Sequence, residues 1–378
     1  ARTGYLGARM MRNQPIGRQS RNLTAAFGLS LAALLQPTAG SAAEGQSAIG
    51  MLVDYKDWEI GCDNARSCVA IGMTAEESMM SAYVRFVRDG GANDTPLVDF
   101  VVYPPDDATD KPKQPLIRLS FDAHKAGGLP KGALTLEEDG DVYRYQLAED
   151  AIPDLVAGMR SATKITVDFY DGDRKLTSEV ISLAGSVAAL LQMDDAQQRI
   201  GTVTALIKKG EAAADTIPPV PALPVVKSLP VGDMADPLPA APDGLPKPSP
   251  DDCGEGPAPY IAYDLGEGAQ LWGVCVSAGA YNYDYDFRIV RDGAAETAQF
   301  LVPDQTGDDA SQLWNSYVDD ETKRLNSSFK GRGLGDCGDS NEWAWDGKAF
   351  APMLHMGMGA CRGVMPADWP VLFRAEAE

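Results

Sequence analysis

The chain has 378 residues, 44% of them hydrophobic, with 54 acidic against 33 basic side chains and a formal net charge of −21. This length allows two domains, and this charge excludes the basic surface that nucleic acid or an anionic membrane needs. So acidic a chain stays soluble and draws cationic partners.

The first segment runs from basic to apolar to small. Arg2, Arg9, Arg12, Arg18 and Arg21 precede the apolar stretch Leu23–Leu35, then Ala39-Gly40-Ser41-Ala42-Ala43 follows, with no acid before Glu44. That order predicts a Sec-type signal peptide over residues 1–43, cut near Ala43. The apolar stretch falls short of the roughly 20 residues that cross a bilayer, so no membrane span is expected after cleavage. The expected location is periplasmic or secreted. Removing those five arginines takes the net charge from −21 to −26.

Residues 44–210 read as an N-terminal domain made mostly of strands. In Ser81–Arg88, Ala82, Val84 and Phe86 alternate with Tyr83, Arg85 and Val87. In Lys164–Tyr170, Ile165, Val167 and Phe169 alternate with Lys164, Thr166 and Asp168. Period-two alternation bounded by turns such as Asp171-Gly172-Asp173 predicts half-buried antiparallel strands. Helical spacing of Ile152, Leu155, Val156 and Met159 predicts a helix behind an Asp150 cap. Helices are also expected over Ser186–Met193 and Asp195–Lys209, the latter stopped by Gly210. The best fit is a β-sandwich with a few helical additions.

Residues 211–252 hold 11 of the 26 prolines. Proline removes a donor and fixes φ, so this stretch is expected to run extended as a linker, without sheet or helix. It would join the N-terminal β-sandwich to a smaller, disulfide-bonded antiparallel β domain over 253–378. Mainly β, in two domains, is the predicted fold class.

Cys62, Cys68, Cys253, Cys275, Cys337 and Cys361 all lie beyond the predicted leader. An even count in an exported chain reads as disulfides. The division of two before residue 100 and four after 250 favours Cys62–Cys68, Cys253–Cys275 and Cys337–Cys361 among the 15 possible pairings. Loop entropy gives roughly 3 kcal/mol for each longer loop and about 2 for the short one. With no C-x-x-C and two histidines, metal ligation is not expected.

The C-terminal part carries five of the six tryptophans. In "YNYDYDF" a strand would place Tyr281, Tyr283, Tyr285 and Phe287 on one face and Asn282, Asp284 and Asp286 on a solvated face. Those oxygens lie about 7 Å apart along a strand, too far for one Ca²⁺.

The stretch "GRGLGDCGDSNEWAWDG" raises three readings. A phosphate loop would lead into a helix and carry Lys-Ser/Thr, but Asp336 and Asp339 occupy it and a strand follows. A calcium loop fails because Asp336, Asp339 and Glu342 lack alternate-residue spacing. A disulfide-held corner fits: glycine permits positive φ, Cys337 ties the corner down, and the strand ends in an Asp346-Gly347 turn. Trp343 and Trp345 are expected in the core or, with Lys330 and Arg332, as candidate partner contacts beside this loop.

The motifs "FKGRGLGDCG", "EWAWDG" and "CRGVMPADWPVLFRA", with "CGEG" and "DWEIGCDNARSC", resemble the domain of unknown function 1176 family of exported six-cysteine bacterial proteins. "DWEIGC", "MRSATKITVDFYDGD" and "ISLAGSVAAL" make the N-terminal half similar to the invasion-associated locus B family. Neither resemblance implies a catalytic residue set or a cofactor.

G-x-S-x-G and H-E-x-x-H are absent from the sequence, and His124 and His355 fall one to each predicted domain. The expected function is therefore non-enzymatic binding in the envelope, with a cationic envelope protein as partner. Inhibition of a cationic hydrolase such as lysozyme is one alternative and a carboxylate-dependent hydrolase is the other.

Overall fold

A computed structural model describes residues 50–378 apart from 75–80, 106–110, 123–128, 131, 140–141, 252, 254–256 and 301–309. The expected signal peptide over 1–43 and His124 lie outside the described residues. The chain is mainly β, and its strands form several antiparallel sheets.

One sheet has seven strands. In spatial order they are Leu52–Tyr55, Trp58–Cys62, Cys68–Met73, Ala82–Arg88, Leu97–Val102, Val142–Leu147 and Leu134–Asp139. A second sheet sets Lys164–Asp171 between Arg174–Ser182 and Pro115–Phe121. The alternating apolar residues of both sheets meet in one core. Trp58, Val84, Phe86 and Phe100 come from the first sheet, and Ile165, Val167 and Phe169 from the second. Leu155 and Met159 of the helix Ile152–Ser161 join them, as do Ala189 and Leu190 of the helix Ser186–Ala196.

Two local expectations need correction. Asp150 does not cap its helix: a short 3-10 turn over Glu149–Ala151 leads in, and no side chain caps the junction. Asp195–Lys209 does not continue as a helix. Asp194, fully buried, accepts the backbone N–H groups of Leu206 and Ile207, which folds the segment back on itself. Arg88 reaches the same carboxylate at 2.7 Å, and Arg199 donates to the Ala92 carbonyl at 2.9 Å. A tertiary hydrogen-bond set of this kind overrides helical spacing.

In the C-terminal part, Tyr260–Gly266, Ala269–Ala278, Tyr283–Arg291 and Ala294–Thr297 form one sheet, with Gln312–Trp314 also paired to Tyr283–Arg291. Tyr317–Val318, Leu325–Lys330, Gly338–Trp345, Phe350–Met358 and Val371–Arg374 form another. Leu271 and Phe287 of the former pack with Leu325, Trp343 and Trp345 of the latter. The disulfides are Cys62–Cys68, Cys253–Cys275 and Cys337–Cys361.

The described residues make one compact unit. The proline-rich stretch is not free of the sheets, contrary to the expectation of a linker without secondary structure. Val225–Val226 pairs in parallel with Glu376–Ala377, Leu229 bridges to Trp345, and Val231 is buried with the tryptophans. Proline spares the intervening N–H groups, so non-proline residues between prolines still reach a sheet edge.

The outer face of the seven-stranded sheet is covered as well. Ile71, Met73, Tyr83, Val101 and Val142 pack against Met358, Val364 and Trp369. This is why Tyr83 is buried, on a strand expected to be only half-buried. Along the same seam, Asp368 accepts hydrogen bonds from Tyr83, Arg85 and Arg144, and Glu59 accepts the N–H groups of Gly359 and Ala360 at 2.8 and 2.9 Å.

Candidate binding cleft

The glycine-rich stretch is a β-hairpin corner. Gly331 N–H donates to the Cys337 carbonyl at 2.8 Å, and Gly335 N–H to Arg332 at 2.9 Å. Gly338 has φ 136°, and a Cβ there would lie 1.8 Å from the Phe329 carbonyl oxygen, so only glycine fits. Arg332 donates to Asp336 at 2.7 Å, and Asp336 also accepts the Gly363 N–H. Burial pulls the Asp336 carboxyl up, but these partners outweigh it and hold its pKa below the usual range. Arg332 is thus occupied within the corner, while the Lys330 side chain is exposed.

Trp343 and Trp345 are 2% and 1% exposed, against Phe300 and Phe350 respectively. Neither tryptophan reaches the surface, and the four candidate contacts do not form one exposed patch. Packing of two sheets decides this, because large aromatic faces fill the space between them.

His355 is half-buried and lies 2.6 Å from Asn341 through Nδ1. Asn341 Nδ2 donates to Asp339 at 2.8 Å, so its Oδ1 must accept, and the proton sits on His355 Nδ1. Burial pushes the imidazole pKa down to about 4. The expected solvated face of "YNYDYDF" is also absent: Asn282 and Asp284 are 9% and 3% exposed. Asn282 instead ties the two sheets together, accepting from Lys330 N–H and donating to the Lys330 carbonyl.

The opposite, tyrosine side of that strand opens onto a cleft of about 750 Å³. Tyr263, Tyr283, Tyr285 and Tyr317 line it, with Ile261 and Val318 between them. Tyr285 and Tyr263 are nearly buried and form its floor, whereas Tyr283 and Tyr317 are 38% and 52% exposed at its mouth. Tyr283 meets Tyr285 edge-on at 6.0 Å, and Tyr285 Oη donates to the Ala258 carbonyl at 2.7 Å. Burial pushes the Tyr263 and Tyr285 hydroxyls up to about 12, so both rings stay neutral. Asp233 and Asp320 stand on the rim, and Lys323 Nζ approaches them at 2.7 and 3.7 Å.

Sequence reasoning placed Tyr283 and Tyr285 on one face but missed Tyr263, Tyr317, Asp233 and Asp320. They come from separate segments, and only the pairing of sheets brings them together. Among the described residues, no group of three His, Cys, Asp or Glu is placed to hold a metal ion.

The profile of the protein family of unknown function DUF1176 matches residues 53–376, nearly the whole described chain. The chain belongs to the DUF1176 family. Within the matched span lie all six cysteines, the glycine corner and the cleft. The uncharacterized protein YpfG of Escherichia coli K12 is 27% identical to this DUF1176 chain over 350 residues, covering 84% of this chain and 91% of its own. No solved structure matches the chain. Among the described residues no helix is long and apolar enough to cross a membrane.

Proposed function

We propose that this DUF1176 chain is an exported, non-enzymatic protein that binds a cationic partner protein in the bacterial envelope. The tyrosine-lined, acid-rimmed cleft carries the reading, because rigid aromatic walls and carboxylates suit recognition rather than bond-making. Three disulfides support an oxidising compartment, as do the leader-like residues 1–43. A net charge of −21 supports long-range attraction of a basic partner. A cationic hydrolase such as lysozyme is one such partner, which would make the chain its inhibitor. We also read residues 44–210 as a domain related to invasion-associated locus B and residues 253–378 as a second domain docked onto it.

The test is affinity capture from periplasmic extract at low and high salt, repeated with Asp233→Asn/Asp320→Asn. The expected result is a basic protein whose affinity falls with salt and drops roughly tenfold in the variant. Capture of an acidic protein, or no effect of salt and variant, overturns the reading.

A hydrolase is the second reading, favoured by one observation: Asp233 and Asp320 both reach Lys323 Nζ and so stand close enough for two-carboxylate chemistry. Both side chains are largely exposed and share an ammonium, without the apolar burial that makes a carboxyl a general acid. Glycan turnover by the wild type, lost in Asp320→Asn, would put hydrolysis in place of binding.

A further inference from the structure

We infer that the cleft is built for an organic cation on an apolar stem, the group presented by a lysine or arginine side chain; this deepens the binding reading above and rests on it.

The first observation is the wall. Four tyrosine rings surround the cleft, and the negative face of an aromatic ring attracts a desolvated cation. The Tyr283–Tyr285 edge contact and the Tyr285–Ala258 hydrogen bond fix two of those rings beforehand, so little freedom is lost on binding. Ile261 and Val318 offer the apolar surface on which an alkyl stem lies.

The second observation is independent of the rings. Ser316 also lines the cleft, is 7% exposed, and its Oγ has no hydrogen-bond partner among the described residues. A buried hydroxyl without a partner is costly. An ammonium or guanidinium N–H entering between the tyrosines supplies the missing donor.

The third observation is the rim. Asp233 and Asp320 carry two negative charges and Lys323 compensates one of them, leaving the mouth net negative. Among the described residues, no arginine, lysine or side-chain amide lines the cleft. An anion therefore meets only Lys323, whose ammonium the two rim carboxylates already hold.

The experiment is calorimetric titration of the full mature chain with Nα-acetyl-lysine methylamide, Nα-acetyl-arginine methylamide, the neutral Nα-acetyl-norleucine methylamide, and putrescine as a free diamine. The cationic probes are expected to bind at least roughly tenfold tighter than the norleucine probe. Tyr317→Ala, at a half-exposed position that tolerates truncation, should weaken them about tenfold, and Ser316→Ala about threefold. Equal binding of the norleucine probe overturns the cation assignment and leaves the cleft as an apolar binding site. Putrescine binding tighter than both amino-acid probes upholds the cation and moves its source from a protein side chain to a free diamine, which counts against the partner reading alone. Capture of a basic protein undiminished by Tyr317→Ala overturns this cleft while leaving the binding function in place.

Discussion

Asp368 accepts a hydrogen bond from Arg144 at 2.9 Å, across 224 positions of sequence, and both residues are almost wholly buried. Arg85 reaches the same carboxylate, and Asp99 pairs with both arginines, at 2.7 Å from Arg85 and 3.2 Å from Arg144. Two cations and two anions thus balance inside a seam that joins the end of the chain to its first large sheet. Removing one member leaves an uncompensated buried charge, which typically costs about 3–5 kcal/mol. Asp368→Ala should therefore lower the urea midpoint strongly. Asp368→Leu in a chain that also carries Asp99→Leu, Arg85→Met and Arg144→Met should recover much of that loss, because replacing all four charges by apolar groups removes the desolvation cost and strands no ion. Equal stability of wild type and Asp368→Ala would refute the seam.

Stability should depend on pH through two groups of opposite sign, the buried Glu59 and the half-buried His355. Burial first, and then the neighbouring Asp54 carboxylate, push Glu59 up to about 7 against the pull of the Gly359 and Ala360 N–H groups. A carboxyl raised above its unfolded value contributes stability that is present at low pH and lost as pH climbs through about 7. His355, pushed down to about 4, does the reverse: its contribution is present above 6.5 and lost as pH falls toward 4. The difference in melting temperature between wild type and Glu59→Gln should shift in favour of the variant above neutral pH. The corresponding difference for His355→Asn should shift in favour of the variant below pH 6.5. Parallel curves for either pair would contradict the assignment.

Limited proteolysis should open the chain first in the exposed run 218–222 of the proline-rich stretch. The two fragments are expected to stay together on a native sizing column, held by the packing of Ile71, Tyr83 and Val101 against Met358 and Trp369. Their separation without denaturant would show that the seam contributes little.

Gly338→Ala should disrupt the hairpin corner, since the added Cβ meets the Phe329 carbonyl oxygen at 1.8 Å and the backbone there is left-handed. A loss of about 2 kcal/mol or more is expected, beyond the usual cost of removing a glycine at positive φ. Gly333→Ala, whose Cβ would meet only the Tyr281 ring at 3.5 Å, serves as the tolerant control. Chemical denaturation of both variants decides the matter.

Strand content, the three cysteine pairs, the glycine corner and the family itself were legible in the sequence, because each rests on local facts. Alternation at Ala82, Val84 and Phe86 reports a strand whatever packs on it. Glycine at Gly338 reports a backbone that no Cβ allows. What covers the other face of a strand is not local. Tyr83 and Arg85 look solvated until Trp369 and Asp368 arrive from the far end of the chain, and Asp195–Lys209 looks helical until Asp194 captures its N–H groups. The cleft belongs to the same category. Tyr263, Tyr285 and Tyr317 stand on strands from two sheets, and Asp233 comes from the proline-rich stretch. Periodicity along one segment shows which side chains share a face; only the pairing of sheets decides which faces enclose a space, because that depends on long-range burial rather than backbone preference.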